Sequence, residues 1–145
     1  MNKSATTGQT NETAARGRVS DLVSTYVHLT DDGAGRTMAI DDQFWPQVMS
    51  GGHPELNEGR LVSRFDFEQN WKTWEAHPNG EELVVLLRGS VQMLLEQSDG
   101  VQRVRLSEPG QFVLISRGVW HTAHPEVPCS MLFVTPGRGT EHRPA

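Results

Sequence analysis

The chain has 145 residues, 36% hydrophobic and 21% charged, with a net charge of −5; this fits one domain around one core, since domains commonly run ~100–150 residues. Lys and Arg are scattered singly, so there is no basic stripe for phosphates or anionic lipid headgroups, and neither nucleic acid nor a membrane is an expected partner. No run approaches the ~20 apolar residues of a membrane span, residues 1–20 lack the apolar centre of a secretion signal, and Cys129, the single cysteine, has no partner for an internal disulfide, so a cytoplasmic location is expected.

Residues 1–18 are mainly small and polar, with too little apolar surface to offset the entropy of ordering, and read as a disordered tail. Residues 19–59 read as an N-terminal extension. Leu22, Val23, Tyr26, Val27 and Leu29 precede a turn-like Asp31-Asp32-Gly33-Ala34-Gly35, with neither helical nor strand period dominant. Phe44-Trp45-Pro46 then brings large apolar surface ahead of Gly51-Gly52-His53-Pro54, so the extension is expected to pack on the main domain or on a dimer partner.

From Arg60 the texture changes to short β-rich runs punctuated by Gly, Pro, Asp and Asn. The strand candidates are Arg60–Glu68, Trp71–His77, Glu82–Arg88, Ser90–Gln97, Val101–Leu106, Gln111–Ser116, Val119–His124 and Pro128–Thr135. Ser98-Asp99-Gly100 suits a tight hairpin, and no crossover helix interrupts the runs. An all-β, antiparallel sandwich or closed barrel over residues 60–138 follows, with 139–145 as a C-terminal tail. Cys129 reads as a buried strand residue.

The chemistry is concentrated in Trp74-Glu75-Ala76-His77-Pro78-Asn79-Gly80-Glu81-Glu82 and in the strand that Ser116-Arg117-Gly118 opens. Alternation along a strand puts Glu75 and His77 on one face. Pro78-Asn79-Gly80 turns the chain back and brings Glu81 or Glu82 alongside, and parity by itself separates these two only weakly. His121 offers a second imidazole. Imidazole and carboxylate together form a ligand set for a first-row divalent ion such as Fe, Mn, Zn or Ni.

These blocks resemble the two motifs of the cupin superfamily. His77, four residues, Glu82, six residues and Gly89 match the later part of the first motif. Gly110, five residues, Ser116, Gly118 and His121 match the second, with twenty residues between Gly89 and Gly110. The resemblance covers Trp71 to about Pro125 closely. It implies a single cupin β-barrel of the double-stranded β-helix or jelly-roll type, and it favours Glu82 over Glu81. The metal ligands it implies are His77, Glu82 and His121. Glu75 stands where the family usually has a first histidine, and is expected as a fourth ligand or as a general base beside bound water. Gln69, Ser116 and Pro125 also depart from the usual pattern.

The remaining residues take plainer readings. His124 faces away from His121, while His28, His53 and His142 fall in loops or tails and are poor ligand candidates. Trp74 and Trp120 point outward by alternation, which suggests a homodimer interface; Trp71 shares the parity of Glu75 and His77 and is expected to line the cavity. Arg64, Arg88, Gln92 and Arg138 read as solvated. The expected function is a metal-dependent enzyme acting on a small organic molecule in the barrel, by oxygenase, isomerase or lyase chemistry. The alternatives are a noncatalytic metabolite-binding barrel and a metal-free isomerase or epimerase.

Overall fold

The computed structural model describes residues 16–145, so the disordered tail expected over 1–18 lies outside the described residues except for 16–18. In chain order the elements are β1 (Thr25–Leu29), β2 (Gly35–Ala39), α1 (Phe44–Met49), a 3-10 turn (Pro54–Asn57), β3 (Arg60–Phe67), β4 (Thr73–Ala76), β5 (Glu82–Gln97), β6 (Gly100–Leu106), β7 (Phe112–Ile115), β8 (His121–Pro136) and β9 (Glu141–Pro144). All strand pairings are antiparallel. No helix among the described residues is long and apolar enough to cross a membrane.

Two long strands organise the barrel. β5 and β8 pair with each other at both ends, from Leu83↔Val134 to Leu95↔His121, with register shifts between Leu86 and Val91. These shifts explain why the sequence shows two runs where the structure has one bent strand: Glu82–Arg88 with Ser90–Gln97 form β5, and Val119–His124 with Pro128–Thr135 merge into β8. Each long strand changes neighbours along its length. The first half of β5 pairs with β7 and its second half with β6, while β8 pairs with β4 at His121 and with β3 from Cys129 onward. Inward-facing Val84, Leu86, Val91, Met93, Leu95, Ile115, Ala123, Met131 and Phe133 fill the interior. The Gln97↔Gly100 pair closes the expected β5–β6 hairpin over Ser98-Asp99.

Gly89 sits at the bend of β5. Its φ of +84° disfavours any side chain, and a Cβ there would lie 2.9 Å from both Cα and Cβ of Cys129. Gly33 has a similar φ of +90° but open space around it. Gly89→Ala should therefore cost roughly 2 kcal/mol or more, lowering the melting temperature by about 5–10 °C. Gly33→Ala should cost only the backbone part. Equal shifts in thermal denaturation would refute the role of the close β5–β8 approach.

The N-terminal extension is part of the sheet. β1 hairpins with β2 and pairs with β3, through Val27↔Val62 to Leu29↔Arg60. α1 and the 3-10 turn fold over it, so that Tyr26, Phe44, Leu56 and Leu61 form a second core. Tyr26 meets Phe44 edge-on with ring centroids 5.6 Å apart, so the aromatic surface of Phe44-Trp45 is spent on the chain's own barrel wall. His28, expected in a loop, is instead buried on β1 with Nε2 2.7 Å from the Glu58 carbonyl oxygen.

The C-terminal segment also departs from expectation. Residues 139–145, read as a tail, contain β9, which pairs in register with β4 through Thr73↔Pro144, Trp74↔Arg143, Glu75↔His142 and Ala76↔Glu141. Asn79 Nδ2 donates to the Arg138 carbonyl at 2.9 Å and holds the entry to this strand. Periodicity failed here because the run is short and polar; its partner strand, not its composition, makes it a strand.

Candidate metal centre

The candidate ligands gather at one end of the barrel because each lies in or beside a strand end. Glu75 is in β4 and His77 directly follows it, Glu82 opens β5 and His121 opens β8. Two contacts align these elements: Glu75 pairs with His121 across β4 and β8, and the Gly118 amide, in the turn before His121, donates to the His77 carbonyl at 3.0 Å. The two hairpin blocks are thus tied to each other directly beside the imidazoles.

Glu75, His77 and His121 each present a ligand atom, all within 4.8 Å of one another. Glu82 lies between the two imidazoles, with Oε2 3.2 Å from His77 Nε2 and Oε1 3.1 Å from His121 Nε2. His77, Glu82 and His121 are 3%, 2% and 0% exposed, so water does not satisfy them. Neither contact has hydrogen-bond geometry. His77 Nε2, His121 Nε2 and Glu82 Oε1 are all buried without a hydrogen-bond partner, a costly arrangement that a cation would relieve.

The outer contacts orient these lone pairs inward. His121 Nδ1 lies 3.0 Å from the Val119 carbonyl, which can only accept, so the ring proton sits on Nδ1 and Nε2 carries the lone pair. His77 Nδ1 is 3.0 Å from the Thr140 hydroxyl, a hydrogen bond that anchors the ring. The Thr135 hydroxyl donates to Glu82 Oε2 at 2.6 Å. Burial pushes the Glu82 carboxyl up, but the His121 and His77 imidazoles outweigh it and hold it at about 2. Burial pushes the His121 imidazole down, and the Glu82 carboxylate overcomes this and raises it above its ordinary value.

Glu75 is half-buried, with Oε2 4.0 Å from His77 Nε2 and Oε1 3.3 Å from His142 Nε2. The reading of His142 as a tail residue is therefore corrected: it lines the site, raised from its ordinary value by the Glu75 carboxylate. His142, Thr140 and Thr135 were not singled out from the sequence. The alternation of Thr140 and His142 past Gly139 is the one signal that could have marked them.

These groups form the polar end of a cavity of about 630 Å³, and Trp71 lines it as its parity predicts. Arg64, Arg88, Gln92 and Arg138 do not line it. Trp74 and Trp120 lie outside the cavity, where the Arg143 guanidinium lies 5.4 Å from the Trp74 ring and 4.5 Å from the Trp120 ring and pairs with Glu96.

No protein-family model matches the chain, and no curated protein matches it. Solved structures do. Peruvianin-I, a cysteine peptidase from Thevetia peruviana latex, superposes with a TM-score of 0.50 at 16% identity over 59% of this chain and 56% of its own. A cupin-2 domain containing protein from Shewanella frigidimarina gives 0.46 at 19% identity over 53% of this chain and 70% of its own, and an oxalate oxidase gives 0.47 at 18% over 56% and 44%. The matched part spans about half the length of Peruvianin-I and of the oxalate oxidase. The likeness to a peptidase is one of fold: Cys129 is buried in β8, and burial, then Asp66, push its thiol up to about 11, the opposite of an activated nucleophile. With two long bent strands closing an antiparallel barrel, and both hairpin blocks meeting at its mouth, what the chain shares with these solved structures is the fold.

Proposed function

We propose that the chain is a metal-dependent enzyme that binds a divalent ion through His77, Glu82, His121 and Glu75 and acts on a small organic molecule in the barrel. The observation that carries this reading is that His77 Nε2, His121 Nε2 and Glu82 Oε1 are buried without hydrogen-bond partners, with Glu82 within 3.2 Å of both imidazoles. A bound ion supplies Lewis acidity toward a substrate oxygen or lowers the pKa of a bound water. The chain's own groups do the rest. Val119 holds the His121 tautomer, Thr140 anchors the His77 ring, and Thr135 holds Glu82. Glu75, less buried and lining the cavity, serves either as the fourth ligand or, with His142 steadying its other oxygen, as the general base toward substrate or water. Two imidazoles and two carboxylates make a harder donor set than three imidazoles and one carboxylate, favouring iron or manganese among the candidates.

Elemental analysis of tag-free protein beside His77→Ala and His121→Ala variants tests the site. Metal in the parent chain and its loss from both variants is expected; equal metal in all three sinks the reading. The pH dependence gives a second check. Glu82, lowered from 4.5, stabilises the metal-free fold above its ordinary value, and that contribution is lost as pH falls through about 2. His121, raised from 6.5, contributes fully below that value, and its contribution is lost as pH rises through the raised one. Metal must displace the same His121 proton, so its affinity rises with pH. The melting temperature of metal-free protein should thus decline as pH rises above 6.5, while the increment from added Mn²⁺ grows across the same range. An increment independent of pH would contradict imidazole ligation.

A further inference from the structure

The cavity is chemically lopsided. Away from the candidate ligands its wall is a chain of aromatic rings drawn from α1, β3, β8 and the segment before β4. Trp45 meets Phe65 at 5.5 Å between centroids, Phe65 meets Phe133 at 5.6 Å, Phe133 meets Trp71 at 5.7 Å and Trp71 meets Phe67 at 5.7 Å. Val48 of α1 and Leu56 of the 3-10 turn add apolar surface to the lining. Glu75, His77, Glu82, Thr140 and His142 form its polar end, while Ser63 and Asp66 of β3 and Lys72 beside Trp71 are the polar groups in the ring-bearing segments.

From this asymmetry we infer that the molecule held in the cavity is a flat, uncharged aromatic compound, bicyclic in scale, with one hydroxyl or carbonyl oxygen at the ligand end. The inference rests on the metal reading only for which end points where. Three observations support it. A contiguous ring wall offers offset and edge contacts to another flat ring, and desolvates it, in a volume within the ~300–1,000 Å³ usual for small-molecule cavities. Among the described residues, Lys72 is the sole Lys or Arg on the lining, and it is exposed. A polycarboxylate or phosphate ester would therefore meet three lining carboxylates, Asp66, Glu75 and Glu82, with no buried Lys or Arg to pair it. An organic cation is no better served. Asp66 pairs with Arg64 and Glu75 with His142, and Glu82, 2% exposed between the two imidazoles, is open to a bare ion but not to a bulky ammonium group.

The test uses the full chain, once loaded with Mn²⁺ and once treated with chelator, its metal content measured separately. 2-Naphthol, citrate, glucose 6-phosphate and phenyltrimethylammonium are titrated while following quenching of tryptophan fluorescence. We expect 2-naphthol to bind at least ~10-fold more tightly than any of the other three in the loaded protein. Val48→Trp, which fills the cavity from α1, should weaken it at least ~10-fold with metal content unchanged. Trp71→Phe, a milder change, should keep the affinity and reduce the quenching. Tighter binding of citrate, of the phosphate ester or of the ammonium ion overturns the inference, as does 2-naphthol affinity equal in the parent chain and Val48→Trp. Loss of quenching without loss of affinity in Trp71→Phe places the probe on the ring wall even if Val48→Trp does not fold; unchanged quenching overturns it. Metal content separates the two readings: aromatic binding in a chain that takes no metal leaves this inference standing and removes the metal centre, whereas metal uptake with no preference for 2-naphthol does the reverse.

Discussion

Glu82→Gln should abolish tight metal binding while leaving the barrel folded, and His121→Leu should impair both. Glu82 touches both imidazoles and is 2% exposed, so its loss removes the negative charge at the centre of the cluster. The effect should exceed the ~10–100-fold that removal of an outer hydrogen-bond partner typically produces. Stability should respond differently in the two variants. In Glu82→Gln the carboxylate charge is itself removed, so no buried anion is stranded. In His121→Leu the Glu82 carboxylate remains buried with one imidazole fewer, and breaking a buried pair from one side costs about 3–5 kcal/mol. Titration with Mn²⁺ followed by calorimetry gives the first quantity and denaturant unfolding of metal-free protein the second. Glu82→Gln that retains parental affinity would show that the carboxylate is a structural partner of the histidines alone.

The second large effect is expected from residues that touch no ion. β9 and the residue before its first strand position supply the outer contacts of two candidate ligands, Thr140 to His77 and His142 to Glu75, while Arg143 on the opposite face clamps the segment across Trp74, Trp120 and Glu96. Thr140→Val with His142→Phe should lower Mn²⁺ affinity by ~10–100-fold, because the imidazole and carboxylate lose the partners that aim them. Arg143→Ala should act in the same direction but less, since it loosens the strand without altering what faces inward. Linkage requires the converse, so Mn²⁺ should slow amide exchange in Glu141–Pro144. Parental affinity in the double variant, or exchange in β9 indifferent to metal, would mean that the strand merely covers the barrel end.

Much of the fold was legible because it depends on local chemistry. Alternation from Arg60 onward, the Ser98-Asp99 hairpin and the glycine at the bend of β5 report backbone preferences that neighbours along the chain decide, and His77, Glu82, Gly89 and His121 kept their spacing because both hairpin blocks are short. The exceptions are instructive. β5 and β8 each read as two strands, since a bulge interrupts periodicity without interrupting pairing. His28 looked like a loop residue because β1 becomes a strand only beside β2 and β3.

By itself the sequence determined an antiparallel sandwich or barrel, since strand parity and turn chemistry act over a few residues, while the spacing that resembles the cupin motifs, not parity, singled out His77, Glu82 and His121. Only the tertiary structure decided that a polar segment at the C-terminus, with His142 and Thr140, would lie against Glu75 and His77, that Arg143 would lie against Trp74 and Trp120, and that Trp45 of α1 would complete an aromatic wall. Each of these is a meeting of residues far apart along the chain, fixed by sheet register and by the packing of one apolar face on another, and neither quantity is written in the composition of the segment that obeys it.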